Sequence, residues 1–157
     1  MYQNKQALSY SEVLSKAMRY CSYQERSIYE VKQKLREYRL KESDLQLILE
    51  YLQKENFLNE IRFADAFVRG KVNIKRWGLF KIREGLSAKG VSSKLVNEAV
   101  KGIDEKVYLQ NLEELVEKKL NLLGTDEQKR EKLYRFLQSK GYESDLIMKE
   151  MKRISLV

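Results

Sequence analysis

Between Arg69 and Lys89 the chain carries Arg69, Lys71, Lys75, Arg76, Lys81, Arg83 and Lys89 against one acid, Glu84, with Trp77 and Phe80 interleaved. Cations at this density, with almost no counter-charge nearby in sequence, suit a polyanion or the acidic surface of another protein. The same lysines would also serve as a solvated helix face, and Trp77 fits equally well in a core between two helices. Arg69, Lys71, Lys75, Arg76, Trp77, Lys81, Arg83 and Lys89 are therefore the candidate partner- or DNA-binding residues. No segment carries an Asn/Arg set suited to reading base edges, and lysine-rich faces mostly contact phosphate. Any nucleic-acid binding is expected to be independent of base sequence and sensitive to salt.

The charge is concentrated there. The formal net charge is +8, of which residues 61–106 hold +6, while residues 1–60 and 107–157 hold +1 each.

Other chemistries find little support. The chain has no histidine, which removes the commonest general base near neutral pH and the usual nitrogen ligand of zinc. Cys21, the sole cysteine, has Ala17, Met18 and Tyr20 for neighbours; it excludes an internal disulfide and is expected to be a small buried residue. Glu113/Glu114 and Glu42/Asp44 lie in polar stretches where solvent keeps both carboxylates ionised. Gly85 and Gly90 belong to neither glycine pattern that cradles nucleotide phosphates. Hence no catalytic, cofactor-binding or metal-binding residue is expected, nor a small-molecule substrate; the reading is of a protein that is not an enzyme. No apolar run approaches the roughly 18 residues that span a bilayer. Tyr2, Gln3, Asn4 and Lys5 stand where a secretory signal needs an apolar core, so a cytoplasmic protein without membrane contact is expected.

The elements that must position the basic residues emerge from an internal repeat. Leu35, Leu86 and Leu137 are spaced by 51 residues, and their surroundings superpose without gaps. Four positions upstream lie Val31, Ile82 and Leu133; five downstream lie Leu40, Val91 and Tyr142. Further on come Leu45/Val96/Ile147, Leu49/Val100/Met151 and Leu52/Ile103/Ile154, whose spacing of four then three marks one helical face. Gly90 and Gly141 stand at equivalent turns and can take the left-handed conformation that closes a helix; Arg39 replaces them in the first copy, where a looser turn is expected. Each copy has a further amphipathic stretch upstream: Leu14, Ala17, Met18 and Cys21; Phe63, Ala64, Phe67 and Val68; Leu109, Leu112, Leu115 and Val116. Ser22 with Glu25 and Thr125 with Gln128 have capping-box spacing, and Asn59 and Ser92 can cap the helices that follow them. With no proline anywhere to interrupt a helix, the expected fold is all-α: an elongated array of three tandem three-helix repeats, about nine helices, at 1–58, 59–104 and 105–157. Units this small bury little core alone and must share surface with their neighbours.

Within Leu58 to Val91, an ordered set stands out: Leu58-Asn59 followed by an acid, Arg62-Phe63-Ala64, Phe67-Val68, Trp77-Gly78, Lys81-Ile82, Leu86 and Lys89-Gly90-Val91. This set resembles the most characteristic segment of the RecX family of bacterial regulators. Arg26-Ser27 with Glu30, and Lys132-Leu133, Phe136-Leu137 and Lys140-Gly141-Tyr142, extend the resemblance over nearly the whole chain. Glu60 stands where aspartate is more usual, Gly70 interrupts the helix before the basic stretch, and the proline often found near the middle turn is missing. The resemblance implies a regulator built of tandem three-helix repeats that binds the RecA recombinase filament and restrains recombination and ATP hydrolysis, with the DNA phosphate backbone as a further candidate contact. A stand-alone helical protein that binds nucleic acid without sequence preference is the competing reading.

Overall fold

A computed structural model describes residues 7–156; the polar start Tyr2–Lys5, on which the expectation of a cytoplasmic protein leaned, lies outside them. Among the described residues there are nine α-helices and no strand. They are α1 (Tyr10–Tyr23), α2 (Ile28–Leu35), α3 (Glu42–Lys54), α4 (Glu60–Asn73), α5 (Leu79–Ala88), α6 (Ser93–Lys101), α7 (Glu105–Leu123), α8 (Lys129–Ser139) and α9 (Ser144–Arg153).

The helices begin where side chains can satisfy the free N–H groups of a first turn. Ser9, Asn59 and Ser92 accept from Glu12, Arg62 and Leu95 N–H respectively, and Asp104 accepts from Lys106 and Val107 at 2.9 and 3.2 Å. Two of the starts expected from sequence fall elsewhere. The reciprocal capping box is Ser27 with Glu30, and Ser27 is fully buried. Ser22 lies in the last turn of α1 and donates to Met18 C=O at 2.8 Å, while Glu25 is taken by Arg62 at 2.6 Å. Before α8, Asp126 rather than Thr125 forms the turn, accepting from Gln128 N–H at 2.8 Å, and the helix starts at Lys129. Helix α4 also continues through Gly70 to Asn73.

Helix–helix packing is concentrated within triplets: α1–α3, α4–α6 and α7–α9. Each triplet encloses its own apolar core. Val31 and Leu35, Ile82 and Leu86, and Leu133 and Leu137 lie at the three centres, each with 2 % or less of its surface exposed. In the third core the upstream helix turns Tyr108 inward together with Leu112, Leu115 and Val116, leaving Leu109 half-buried. The aromatic ring wins that place because its hydroxyl finds two partners there, described below.

The turn between the second and third helices places a left-handed residue at the equivalent position in all three copies. Arg39, Gly90 and Gly141 all have left-handed backbones, with φ of 51°, 76° and 95°. Arginine has a steric cost here that glycine avoids, and in its copy the chain passes first through a 3-10 turn, Arg36–Tyr38, a tighter winding than the α-helix. The accessible surface, 10979 Å², exceeds the roughly 8,300 Å² of a compact chain of this mass, as an open array requires.

Cys21 is buried in the first core. Burial pushes its thiol up to about 11, so the nucleophilic thiolate is suppressed near neutral pH. Native protein at pH 8 should resist a thiol-reactive disulfide reagent, and full labelling should appear only in denaturant; rapid native labelling would contradict this burial. Because the folded thiol holds its proton more tightly than an exposed one, this group's contribution to stability is complete below pH about 9 and is lost as pH rises toward 11.

Candidate polyanion-binding face

The basic stretch occupies the end of α4, the turn after it and α5, and its geometry is set by two joints between repeats. These joints lie at equivalent places, 51 residues apart, but are built differently.

At the first joint, charges hold α2 against the second repeat. Glu60 accepts from Ile28 N–H at 3.2 Å, Arg62 meets Glu25 at 2.6 Å, and Lys89 meets Glu30 at 3.0 Å. The second carboxylate oxygen of Glu25 is buried without a hydrogen-bond partner.

At the second joint, backbone meets backbone. Gly78 N–H donates to Lys140 C=O at 2.7 Å and Phe80 N–H to Gly141 C=O at 3.0 Å. Leu79 N–H donates to the Tyr108 hydroxyl at 2.9 Å, which itself donates to Glu143 at 2.8 Å. The first turn of α5 is thus capped by the third repeat instead of by its own side chains. Burial first, then the bond to Glu143, drives the Tyr108 hydroxyl far above its usual range. Tyr142 donates to Arg76 C=O and Asn111 to Val72 C=O, both at 2.9 Å. One ion pair, Arg76 with Glu114 at 2.7 Å, closes the edge. A charge pair recurs here with its sign reversed: Arg76 stands in register with Glu25, and its partner Glu114 is one residue past the position in register with Arg62.

Sequence suggested a cluster facing only Glu84, and the fold corrects this. Glu114 of α7 pairs with Arg76, Glu30 of α2 pairs with Lys89, and Asn97 of α6 accepts from Arg83 at 2.6 Å. These partners lie far away in the chain, so a window around the basic stretch could not show them. Arg69 and Lys75 are exposed, and neither they nor Lys71 and Lys81 have a carboxylate partner among the described residues.

Trp77 packs where a core between two helices would hold it. It is half-buried against the second core, edge-on to Phe67 with ring centres 6.3 Å apart, and its ring carries the Lys71 and Lys81 ammoniums at 4.4 and 4.6 Å. Such placements attract through the ring quadrupole and hold the two lysine stems in place. The third repeat has a second ring of this kind that sequence inspection missed: Phe136, with Lys119 at 4.9 Å and Lys140 at 5.8 Å. The 51-residue register did not mark it, since Phe136 stands where Gly85 does and no aromatic stands in register with Trp77.

What this face offers is positive charge held on the end of α4, the following turn and α5. Among the described residues no group of three His, Cys, Asp or Glu side chains could hold a metal, and no helix is long and apolar enough to cross a membrane.

Comparison with known proteins bears on the whole array. Residues 59–100 match the pattern described as RecX, second three-helix domain, and residues 106–151 match RecX, third three-helix domain. The chain is 31 % identical over 136 residues to the regulatory protein RecX of Prosthecochloris aestuarii, covering 87 % of this chain and 89 % of that one. It is 40 % identical over 103 residues to the regulatory protein RecX of Clostridium botulinum strain Alaska E43, a match taking in 63 % of this chain but only 48 % of that longer relative. The crystal structure of RecX from Lactobacillus salivarius superposes with a TM-score of 0.83 at 27 % identity, over 94 % of this chain and 97 % of that one. With the fold, the repeat register and the sequence all in agreement, this chain belongs to the RecX family of regulatory proteins.

Proposed function

We propose that this chain is a non-enzymatic regulator that binds the RecA recombinase filament on DNA and inhibits its recombinase and ATPase activities, acting in the cytoplasm. The observation that carries the reading is the set of cations on the second repeat, Arg69, Lys71, Lys75 and Lys81, without carboxylate partners among the described residues, on an array of linked units. Units at 1–58, 59–104 and 105–157 would lie along successive filament subunits, and several weak contacts on one linked surface add as avidity without a deep pocket. The basic face would meet acidic filament surface or exposed DNA phosphate, and the outer repeats would pack against neighbouring subunits.

The test is RecA's DNA-dependent ATP hydrolysis with increasing amounts of this protein. Wild type should inhibit below one molecule per RecA. The double substitution Arg69→Glu with Lys75→Glu, both exposed and outside either joint, should weaken inhibition at least about tenfold, equivalent to about 1.4 kcal/mol. Absence of inhibition by wild type would overturn the function, and unchanged inhibition by the variant would remove the face. Under the competing reading, a stand-alone nucleic-acid-binding protein, bare DNA is bound with steep salt dependence and RecA changes nothing.

A further inference from the structure

We infer that Lys71, Lys81, Lys119 and Lys140 form one phosphate-binding face across the second and third repeats, which takes the phosphodiester backbone of a nucleic acid strand without regard to base sequence. The inference rests on the basic-face reading above but extends it to a repeat that is nearly neutral overall, and to two lysines that no local charge count would single out.

The first argument is geometric. A side chain at Gly85 would start 2.7 Å from the Phe67 ring and 3.4 Å from Trp77, so those rings occupy the place that Phe136 fills one repeat later. Each site presents an aromatic surface flanked by two ammoniums, at 4.4 and 4.6 Å in the second repeat and 4.9 and 5.8 Å in the third. The two sites meet at the glycine joint: Lys140 C=O accepts from Gly78 N–H at 2.7 Å, and the Lys81 Cβ lies 2.5 Å from where a Gly141 side chain would begin. In the first repeat the residue in register with Phe136 is Lys34, paired with Glu37 at 3.3 Å, and the rings of Tyr20 and Tyr23 carry a guanidinium, that of Arg26, at 3.8 and 6.0 Å instead of two ammoniums.

The second argument is chemical. None of the four ammoniums has a carboxylate within ion-pairing distance among the described residues. All four are lysines, compact charges that meet phosphate as points, without the planar fork that selects carboxylates two oxygens at a time. Both rings are half-buried and already covered by ammoniums, so they offer neither a stacking platform for bases nor the exposed aromatic anchor that protein interfaces use. The lysines themselves stand out of register between the two repeats, yet the two sites adjoin at one joint, and a row of point charges suits a polymer whose charge also repeats. The backbone-sealed joint holds the two sites in one arrangement, so little ordering is needed on binding.

The experiment is fluorescence anisotropy of a fluorescein-labelled oligothymidylate titrated with the full chain over a series of salt concentrations, without RecA. Four lysine–phosphate contacts predict a slope of log affinity against log salt near −3, at about 0.7 per contact for a single strand. Lys119→Gln with Lys140→Gln should roughly halve that slope, as should Lys71→Gln with Lys81→Gln. A wild-type slope near zero, or an unchanged slope in the third-repeat variant, would overturn the inference, as would polyglutamate competing charge for charge with the oligonucleotide. RecA ATP hydrolysis measured on the same variants separates the two readings. Wild type that binds the strand with the expected slope yet leaves RecA untouched removes the regulator and keeps this face; inhibition without strand binding does the reverse.

Discussion

Replacing Gly78 by alanine is expected to destabilise the protein by about 3 kcal/mol, because overpacking a site with no room to relax costs about that much. The backbone of Gly78 has φ −80° and ψ 169°, which any residue adopts, so the whole cost is steric. The new methyl group would start 2.2 Å from Gly141 carbonyl carbon and 2.3 Å from Tyr142 nitrogen. Both are main-chain atoms that cannot rotate aside, and moving them breaks the bonds that cap α5. Chemical denaturation measures the loss. Gly70→Ala is the control, since nothing lies within 4 Å of its added carbon in the last turn of α4; there a gain of up to about 1 kcal/mol is expected. Equal behaviour of the two variants would show that the glycine contact at the second joint is not tight.

The second large effect concerns how the array comes apart. Leu35→Ala and Leu137→Ala each remove a side chain that is at most 2 % exposed from the centre of a core, at a cost of about 2–5 kcal/mol. The costs should be alike but their form should differ. The third repeat is fastened to the second by main-chain bonds and a buried tyrosine, so Leu137→Ala should lower one shared transition. The first repeat is fastened by ion pairs whose members are partly exposed, and such pairs contribute about 0.2–1 kcal/mol each. Leu35→Ala should therefore split off an early transition, seen by exposure of Cys21 to a thiol reagent before the main loss of helicity. A single transition in both variants would mean that the two joints are equally strong.

These joints mark the limit of what could be read in the sequence. The register of Leu35, Leu86 and Leu137 exposed the three cores because a helix buries one face, and periodic apolar residues record which face that is. Asn59 and Ser92 were legible as caps for a similarly local reason. Ser22 and Thr125 misled because hydroxyl-bearing residues with an acid or amide three positions on occur by chance, and the true box at Ser27 was chosen by burial against the second repeat. The candidate site was legible as composition only. That Arg76 and Lys89 are spent on Glu114 and Glu30, and that Lys119 and Lys140 gather around Phe136, follows from contacts between residues 17 to 59 positions apart, except for Lys140, which lies one turn beyond its ring. Charge counts along a chain carry no information about such pairings.

The reversed ion pair gives each repeat an address. Glu25 meets Arg62, whereas Arg76, in register with Glu25, meets Glu114, one residue past the register of Arg62. Were the third repeat to dock directly on the first, Glu25 would face Glu113 and Glu114; were a second repeat to dock on another second repeat, Arg76 would face Arg62. Both mistaken neighbours set like charges against each other, while the order found along the chain sets opposites together. Each of these partly exposed pairs contributes about 0.2–1 kcal/mol, so for three units that share one core design the reversed signs favour the order found along the chain by a small bias and do not enforce it.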